Sequence, residues 1–440
     1  MASELRSGEV HEAEVVDLAH DGRGVARVGG KTVFVEGALP GETVRFRVYK
    51  RRRMFDEASL TDIVTASPDR VTPKCAHFGV CGGCSLQHLS AAAQLEAKQR
   101  QLLDNLERIG RVEPQRVLEP IRGPAFGYRR RARLGVKYVH KKGRVLAGFR
   151  EREKPYIAEL RRCEILIERF ATLPEELARL VDALSIRAKL PQVEVAAGDE
   201  QAALVFRVME PPSAQDLELL REFGARHSVA IHLQSGGLDT IRPLDAAAAP
   251  LTYTVDEGRI TLEFGAADFI QVNRYVNNAM IDAAMRLLEP LPTDRVLDLF
   301  CGMGNFTLPL ARRAATVTGV EGDRALVAKA RMNAVRNAID NAGFHEDNLF
   351  EPGGFGSWAA GPYDLVLLDP PRAGALAIME RMAHWRPRRV VYISCHPGSL
   401  ARDAGILVET QGFRLVGAGV MDMFPHTTHV ESVAVFERGA

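Results

Sequence analysis

Apolar and polar positions alternate with a period of two through the first part of the chain. Residues 12–18, 24–28, 31–35, 42–48 and 59–64 are rich in β-branched side chains, and Asp21-Gly22 and Gly29-Gly30 punctuate them as turns. The pattern predicts five short strands over residues 1–66, closing as an OB-like barrel of the kind that binds oligonucleotides. Farther on the period changes. Leu95, Leu102, Leu103, Leu106 and Ile109 suggest a helix between residues 91 and 112, with Gly110 as its expected stop. Residues 133–263 mix strand-like runs (192–196, 203–208, 230–234) with helical ones, in an order the pattern leaves open.

From Phe264 onward strand and helix alternate. Residues 269–273 lead into a helical pattern that runs to Leu288. Strand-like runs then fall at 295–300, 317–321, 366–368 and 390–393, with helical stretches among them, and residues 431–438 read as a closing strand. Such βαβα alternation builds a doubly wound sheet. The fold expected is therefore α/β, in three parts: a barrel (1–66), a central α+β domain (67–263) and a Rossmann-like domain (264–440).

Two of those strands end in reactive side chains. Val366-Leu367-Leu368 runs into Asp369-Pro370-Pro371-Arg372, and Val390-Val391-Tyr392-Ile393 into Ser394-Cys395-His396-Pro397. Ligands of open α/β sheets sit at the carboxyl ends of the strands, so a thiol and a carboxylate reach one rim. A cysteine after a strand is ordinarily a small buried hydrophobe, and the neighbouring motif is what argues for chemistry here. Gly302-Met303-Gly304 also follows a strand and opens a helix, but Thr307 stands where the dinucleotide fingerprint has its third glycine. Glu321 ends the next strand, placed to accept hydrogen bonds from ribose hydroxyls. The combination resembles an S-adenosylmethionine site, with a nicotinamide cofactor as the competing reading.

Charge adds a partner. The chain of 440 residues carries a net charge of only +1, yet Lys50-Arg51-Arg52-Arg53 and the stretch from Arg129 to Arg133 continuing through Lys137, Lys141, Lys142 and Arg144 are strongly basic. With Tyr128, Tyr138 and Phe149 interleaved, these clusters point to RNA rather than to a merely solvated face. No run reaches the ~18 apolar residues that span a membrane, and residues 1–6 are polar, so a cytoplasmic protein is expected. Nothing in the sequence demands more than a monomer. Of six cysteines, Cys75, Cys81 and Cys84 are clustered around glycines that free backbone amides for sulfur. Cys163 is the natural fourth, because Cys301 and Cys395 fall in the last domain. Four thiolates hold zinc or an iron–sulfur cluster, and spacing alone does not separate the two.

Taken together these motifs resemble the RNA 5-methyluridine methyltransferases over nearly the whole chain. The likeness runs from residues 20–26, similar to a TRAM domain, through the four cysteines to residues 298–307, Asp369-Pro370-Pro371-Arg372, Ser394-Cys395 and residues 424–431. A barrel together with a cysteine cluster is most similar to the branch acting on 23S ribosomal RNA. The resemblance implies a class I methyltransferase domain and a [4Fe-4S] cluster on Cys75, Cys81, Cys84 and Cys163. It implies Cys395 as nucleophile and Glu431 as base. It further implies that Gln271, Phe300, Asn305, Glu321, Asn348 and Asp369 surround S-adenosylmethionine. His396 departs from the pattern, since relatives often have Asn there. The rivals are a transfer-RNA substrate or another 23S uridine, an amino-group or cytosine-5 methyltransferase, and an RNA-binding module with a vestigial catalytic domain.

Overall fold

Inward-turning alternate side chains close the N-terminal strands on themselves. In the computed structural model, which describes residues 8–245, 249–351 and 355–439, β1 (Val10–Leu18), β2 (Gly24–Val28), β3 (Lys31–Glu36), β4 (Thr43–Arg51) and β5 (Phe55–Thr65) form a closed barrel in the order β1-β2-β3-β5-β4. Val15, Val33, Val35, Val44 and Phe46 fill it. The last two strands outrun the alternation in the sequence because three register shifts interrupt their pairing, each turning the side chains out of phase. The polar start expected at residues 1–6 lies outside the described residues.

The chain divides into two compact units. One takes the described residues of Met1–Gln101, Phe149–Ala158 and Phe424–His429, and the other those of Leu102–Gly148, Glu159–Met423 and Val430–Ala440. Within the first, the late strip is tied in by hydrogen bonds. The Ser85 and Leu86 amides both donate to the His426 carbonyl at 2.9 Å, the His426 amide donates to Gln94 Oε1 at 2.9 Å, and Lys98 Nζ donates to the Phe424 carbonyl at 3.1 Å.

α1 (Ala91–Asn105) ends in a π-turn, Leu106–Gly110, followed by Arg111 in the left-handed conformation with φ 53°. The helical run thus ends at Gly110, the stop the pattern suggested, and the left-handed residue is the next one, Arg111. A Cβ at Gly110 would lie 2.4 Å from the Ala401 carbonyl oxygen, so glycine there permits a close backbone approach.

In the second unit come β6 (Arg116–Val117), β7 (Arg131–Val139), β8 (Arg144–Gly148), α2 (Leu173–Ala183), β9 (Gln192–Ala197), β10 (Ala202–Arg207), α3 (Ala214–His227), β11 (Ala230–Gln234) and β12 (Arg242–Pro243). Six strands make one sheet, ordered β12-β11-β10-β9-β7-β8. Ala132, Leu134 and Val136 of β7 are buried while Arg133 and Lys137 face outward, the period-two pattern of a half-buried strand. A separate hairpin joins β13 (Leu251–Val255) to β14 (Ile260–Phe264).

The remaining elements are α4 (Arg274–Leu288), β15 (Arg295–Leu299), α5 (Thr307–Ala311), β16 (Thr316–Glu321), α6 (Arg324–Arg336), β17 (Ala342–Glu346), β18 (Leu365–Leu368), α7 (Leu376–Met379), α8 (Met382–Trp385), β19 (Arg389–Ser394), α9 (Pro397–Glu409), β20 (Phe413–Met421) and β21 (Glu431–Arg438). Their sheet has the order β17-β16-β15-β18-β19-β21-β20-β6. β17 to β19 are parallel, β21 is reversed, and the order turns at β15/β18, where a doubly wound sheet opens a crevice. β18, Leu365–Leu368, is apolar and buried along its whole length, as a central strand covered on both faces requires. Among the described residues no helix is long and apolar enough to cross a membrane.

Candidate active site

β15, β18 and β19 run parallel and end at one rim, and β21 begins there in the opposite direction. The last antiparallel pair is Ser394 with Ser432, whose hydroxyl donates to the Ser394 carbonyl at 3.2 Å. One step beyond it on each chain stand Cys395 and Glu431, which the register sets opposite one another. Asp369 follows the adjacent β18, its amide donating to the Leu299 carbonyl at 3.3 Å. Sheet pairing alone thus gathers the thiol and both carboxylates.

Their environments make the resting thiol hard to ionise. Burial pushes Cys395 up to about 11, the carboxylates of Glu431 and Asp369 add to the rise, and Arg372 works against it. Burial likewise raises Asp369 to about 7. At neutral pH the cysteine is a thiol, so its proton must leave as it attacks. The Cys395 loop opens α9, which starts with Pro397 at its first turn and has His396 as N-cap.

A second set of residues surrounds the glycine turn after β15. Gly302 and Gly304 have φ of +56° and +99°, a region that other residues rarely adopt, which explains the Gly-x-Gly spacing. Phe300 also has positive φ, +62°, uncommon for a bulky residue, and its ring lies 5.6 Å from that of Phe350. Glu321 accepts the Gly302 amide on one oxygen and the Asp323 amide on the other, both at 3.0 Å. Asn348 lies in the loop after β17, where its side chain binds the Phe350 amide (3.1 Å) and Glu351 (2.9 Å). Gln271 precedes α4 by a short turn and accepts from Arg130 Nε on its carbonyl at 2.9 Å. Asp298, buried in β15, is raised to about 7 by burial, with Asp369 and Glu321 adding and a Thr307 hydrogen bond opposing. Carboxylates gathered around a glycine turn can accept from ribose hydroxyls and an ammonium and offset the charge of a sulfonium.

Tyr253 and Asn277 carry no sequence signal. Asn305 Oδ1 accepts from the Tyr253 hydroxyl at 3.2 Å, and its side chain exchanges two hydrogen bonds with Asn277, at 3.0 and 3.3 Å. Arg130 stacks over Tyr253 at 4.5 Å. Only the fold brings residues from the approach to β7, from β13, from α4 and from the glycine turn together.

Two expectations need revision or restraint. Arg130 is 2% exposed, and Arg131 binds the carbonyls of Ala266 and Ala267 and the Glu194 carboxylate. These two arginines serve the interior rather than RNA phosphates, because the strand alternation turns Arg130 inward and Arg131 is spent on neighbouring loops. Arg133, Lys137, Lys141, Lys142 and Arg144 remain on the surface. Cys75, Cys81 and Cys84 lie in the first compact unit and Cys163 in the second. Among the described residues no group of three or more His, Cys, Asp or Glu side chains is gathered to hold a metal ion. The Gly83 amide does donate to Cys81 Sγ at 3.4 Å, the kind of bond that favours a thiolate.

A model of the tRNA (Uracil-5-)-methyltransferase family matches residues 90–346 and 360–439. The chain belongs to this family. The TRAM domain model matches residues 4–61, over the barrel. A protein of Methylococcus capsulatus named 23S rRNA (uracil(1939)-C(5))-methyltransferase RlmD is 51% identical over 97% of this chain and 96% of its own length. Its namesake in Stenotrophomonas maltophilia is 51% identical over 97% of each. The crystal structure of Pyrococcus abyssi tRNA (uracil-54, C5)-methyltransferase in complex with S-adenosyl-L-homocysteine is similar with a TM-score of 0.73 and 25% identity, over 97% of this chain and 99% of that one. As a uracil-5-methyltransferase, the chain carries a thiol and carboxylates at one rim of its sheet.

Proposed function

We propose that the protein transfers the methyl group of S-adenosylmethionine to carbon 5 of uridine 1939 in 23S ribosomal RNA, the reaction for which its full-length relatives are named. The observation that carries the chemistry is the register that sets Cys395 opposite Glu431. Carbon 5 of uracil is too weak a nucleophile to take a methyl group unaided. Addition of the Cys395 sulfur to carbon 6 breaks the ring double bond and turns carbon 5 into an enolate carbon, dividing one hard step into easier ones. S-adenosylmethionine, when bound, supplies an electrophilic methyl group and leaves as the neutral thioether. Glu431 then takes the proton from carbon 5, and Cys395 departs as the double bond reforms.

Gln271, Phe300, Asn305, Glu321, Asn348 and Asp369 are the residues we assign to the cofactor. Glu321 suits the ribose, and Asp369, beside buried Asp298, suits a cationic centre. The TRAM barrel, Lys50 to Arg53 and the outward face of β7 would hold the RNA through phosphates and stacked bases. The target base must leave its stack, at a cost of a few kcal/mol that is roughly least in loops. On the thiol pattern we further assign a [4Fe-4S] cluster to Cys75, Cys81, Cys84 and Cys163, with zinc as the alternative, in a structural or RNA-positioning role; no catalytic step passes through it.

The test is methyl transfer from labelled S-adenosylmethionine to unmodified 23S RNA, with nucleoside analysis, for the wild type and Cys395→Ala. Label in 5-methyluridine that disappears in the variant supports the reading. Label in another nucleoside, or an unimpaired variant, overturns it in favour of amino-group methylation.

A further inference from the structure

The side chains flanking Cys395 form a polar chain that reaches both neighbouring strands. The Ser399 amide donates to His396 Nδ1 at 3.1 Å, and the Ser399 hydroxyl lies 2.9 Å from the same nitrogen. That hydroxyl also lies 2.6 Å from the Arg372 carbonyl, to which it donates. A hydroxyl has one proton, so its bond to Arg372 and the amide bond to Nδ1 are both made when Nδ1 carries a lone pair. On the other side the Ser394 hydroxyl accepts from the His396 amide at 3.1 Å, and Ser432 donates to the Ser394 carbonyl at 3.2 Å. The chain thus runs from the loop of Asp369 and Arg372, past both neighbours of Cys395, to the residue after Glu431. Every reacting group has a member beside it.

We propose that His396, through Ser399, is a positioning residue that clamps the Cys395 loop against the Arg372 loop, fixing the thiol for attack on uracil without touching the substrate. The proposal rests on the uracil-5 reading and goes beyond it by giving His396 a role. An acceptor at this point caps α9 and fixes the backbone on which Cys395 is carried. Asparagine can do the same, because its Oδ1 is as many bonds from the backbone as histidine Nδ1. In this role the imidazole serves as an acceptor through Nδ1. Holding Arg372 in place also keeps its positive charge near the sulfur, which favours the thiolate.

The experiment compares His396→Ala, His396→Asn and Ser399→Ala with the wild type in two assays. One is alkylation of Cys395 by iodoacetamide without cofactor, read on the Cys395 peptide by mass spectrometry across pH. The other is covalent trapping on 5-fluorouridine-substituted 23S RNA in the presence of S-adenosylmethionine. There the sulfur bonds to carbon 6 and carbon 5 gains the methyl while retaining fluorine. With no proton for Glu431 to remove, the sulfur–carbon bond persists on a denaturing gel. His396→Ala and Ser399→Ala should slow trapping about tenfold or more, as expected for a reacting group displaced by a fraction of an ångström, with RNA binding unchanged. His396→Asn should restore the wild-type rate. Wild-type trapping by His396→Ala, or no rescue by Asn, overturns the clamp alone. Should His396→Ala fail to fold, the Ser399→Ala and Asn results decide. If the wild type forms no adduct and Cys395→Ala still methylates, the uracil reading falls and the clamp with it.

Discussion

The hydroxyl of Tyr253, on β13, donates a 3.2 Å hydrogen bond to the side-chain oxygen of Asn305 beyond the glycine turn. Burial raises that phenol to about 12, so it stays a donor at every working pH. Tyr253→Phe removes one of the bonds that hold Asn305 while Asn277 keeps the others. S-adenosylmethionine binding, measured by calorimetry, should weaken by several-fold, in line with about 1 kcal/mol for one hydrogen bond. Unchanged affinity would remove Asn305 from the cofactor site.

Glu431→Gln separates the two halves of the reaction. With the base gone, sulfur addition and methyl transfer proceed but the carbon 5 proton stays. A covalent protein–RNA complex should therefore accumulate on natural, unsubstituted RNA, visible as a shifted band under denaturing conditions, with turnover reduced by about 10² or more. Turnover at the wild-type rate would assign the proton to another group.

Asp298 and Asp369 are both raised from 3.8 to about 7. A folded-state acid that holds its proton more tightly than the unfolded chain stabilises the fold while protonated. The contribution is complete below the unfolded value and is lost as pH rises through about 7. Raising the pH from about 5 to about 8 should therefore lower the melting temperature of the wild-type apoprotein more than that of Asp298→Asn. Parallel curves would show that Asp298 ionises normally.

Cluster content is directly measurable. Protein purified without oxygen should contain iron and sulfide in equal amounts, about four of each per chain, with a broad visible absorption. Cys84→Ala and Cys163→Ala should lose both. Zinc in place of iron, or no metal in the wild type, would replace the cluster assignment.

Legibility followed the range of the interactions involved. Strands and rim residues fixed by local alternation were readable: the barrel, the glycine turn and the strand ends carrying Asp369 and Cys395. β20 escaped notice because Gly417 and Gly419 dilute its β-forming pattern. A Cβ at these positions would meet Leu118 at 3.0 and 2.7 Å, so the glycines answer to a neighbour about 300 positions away. Tyr253, Asn277 and the Ser399 clamp were hidden for the same reason, since each gains its role only from a partner on another element. Arg130 and Arg131 misled because a run of arginines does not say which of them alternation turns inward.

The strip Phe424–His429 completes a unit whose other parts are made early in synthesis. Gln94 is 1% exposed, and its side-chain oxygen is satisfied by the His426 amide. A ribosome that has delivered the barrel and α1 has therefore not delivered the partner that the buried amide of Gln94 requires. The N-terminal unit cannot finish folding until nearly the whole protein has emerged, so the usual order in which N-terminal parts settle first is suspended here. A chain cut short just after β20 would lose more than its last strand: it would leave its beginning unfinished.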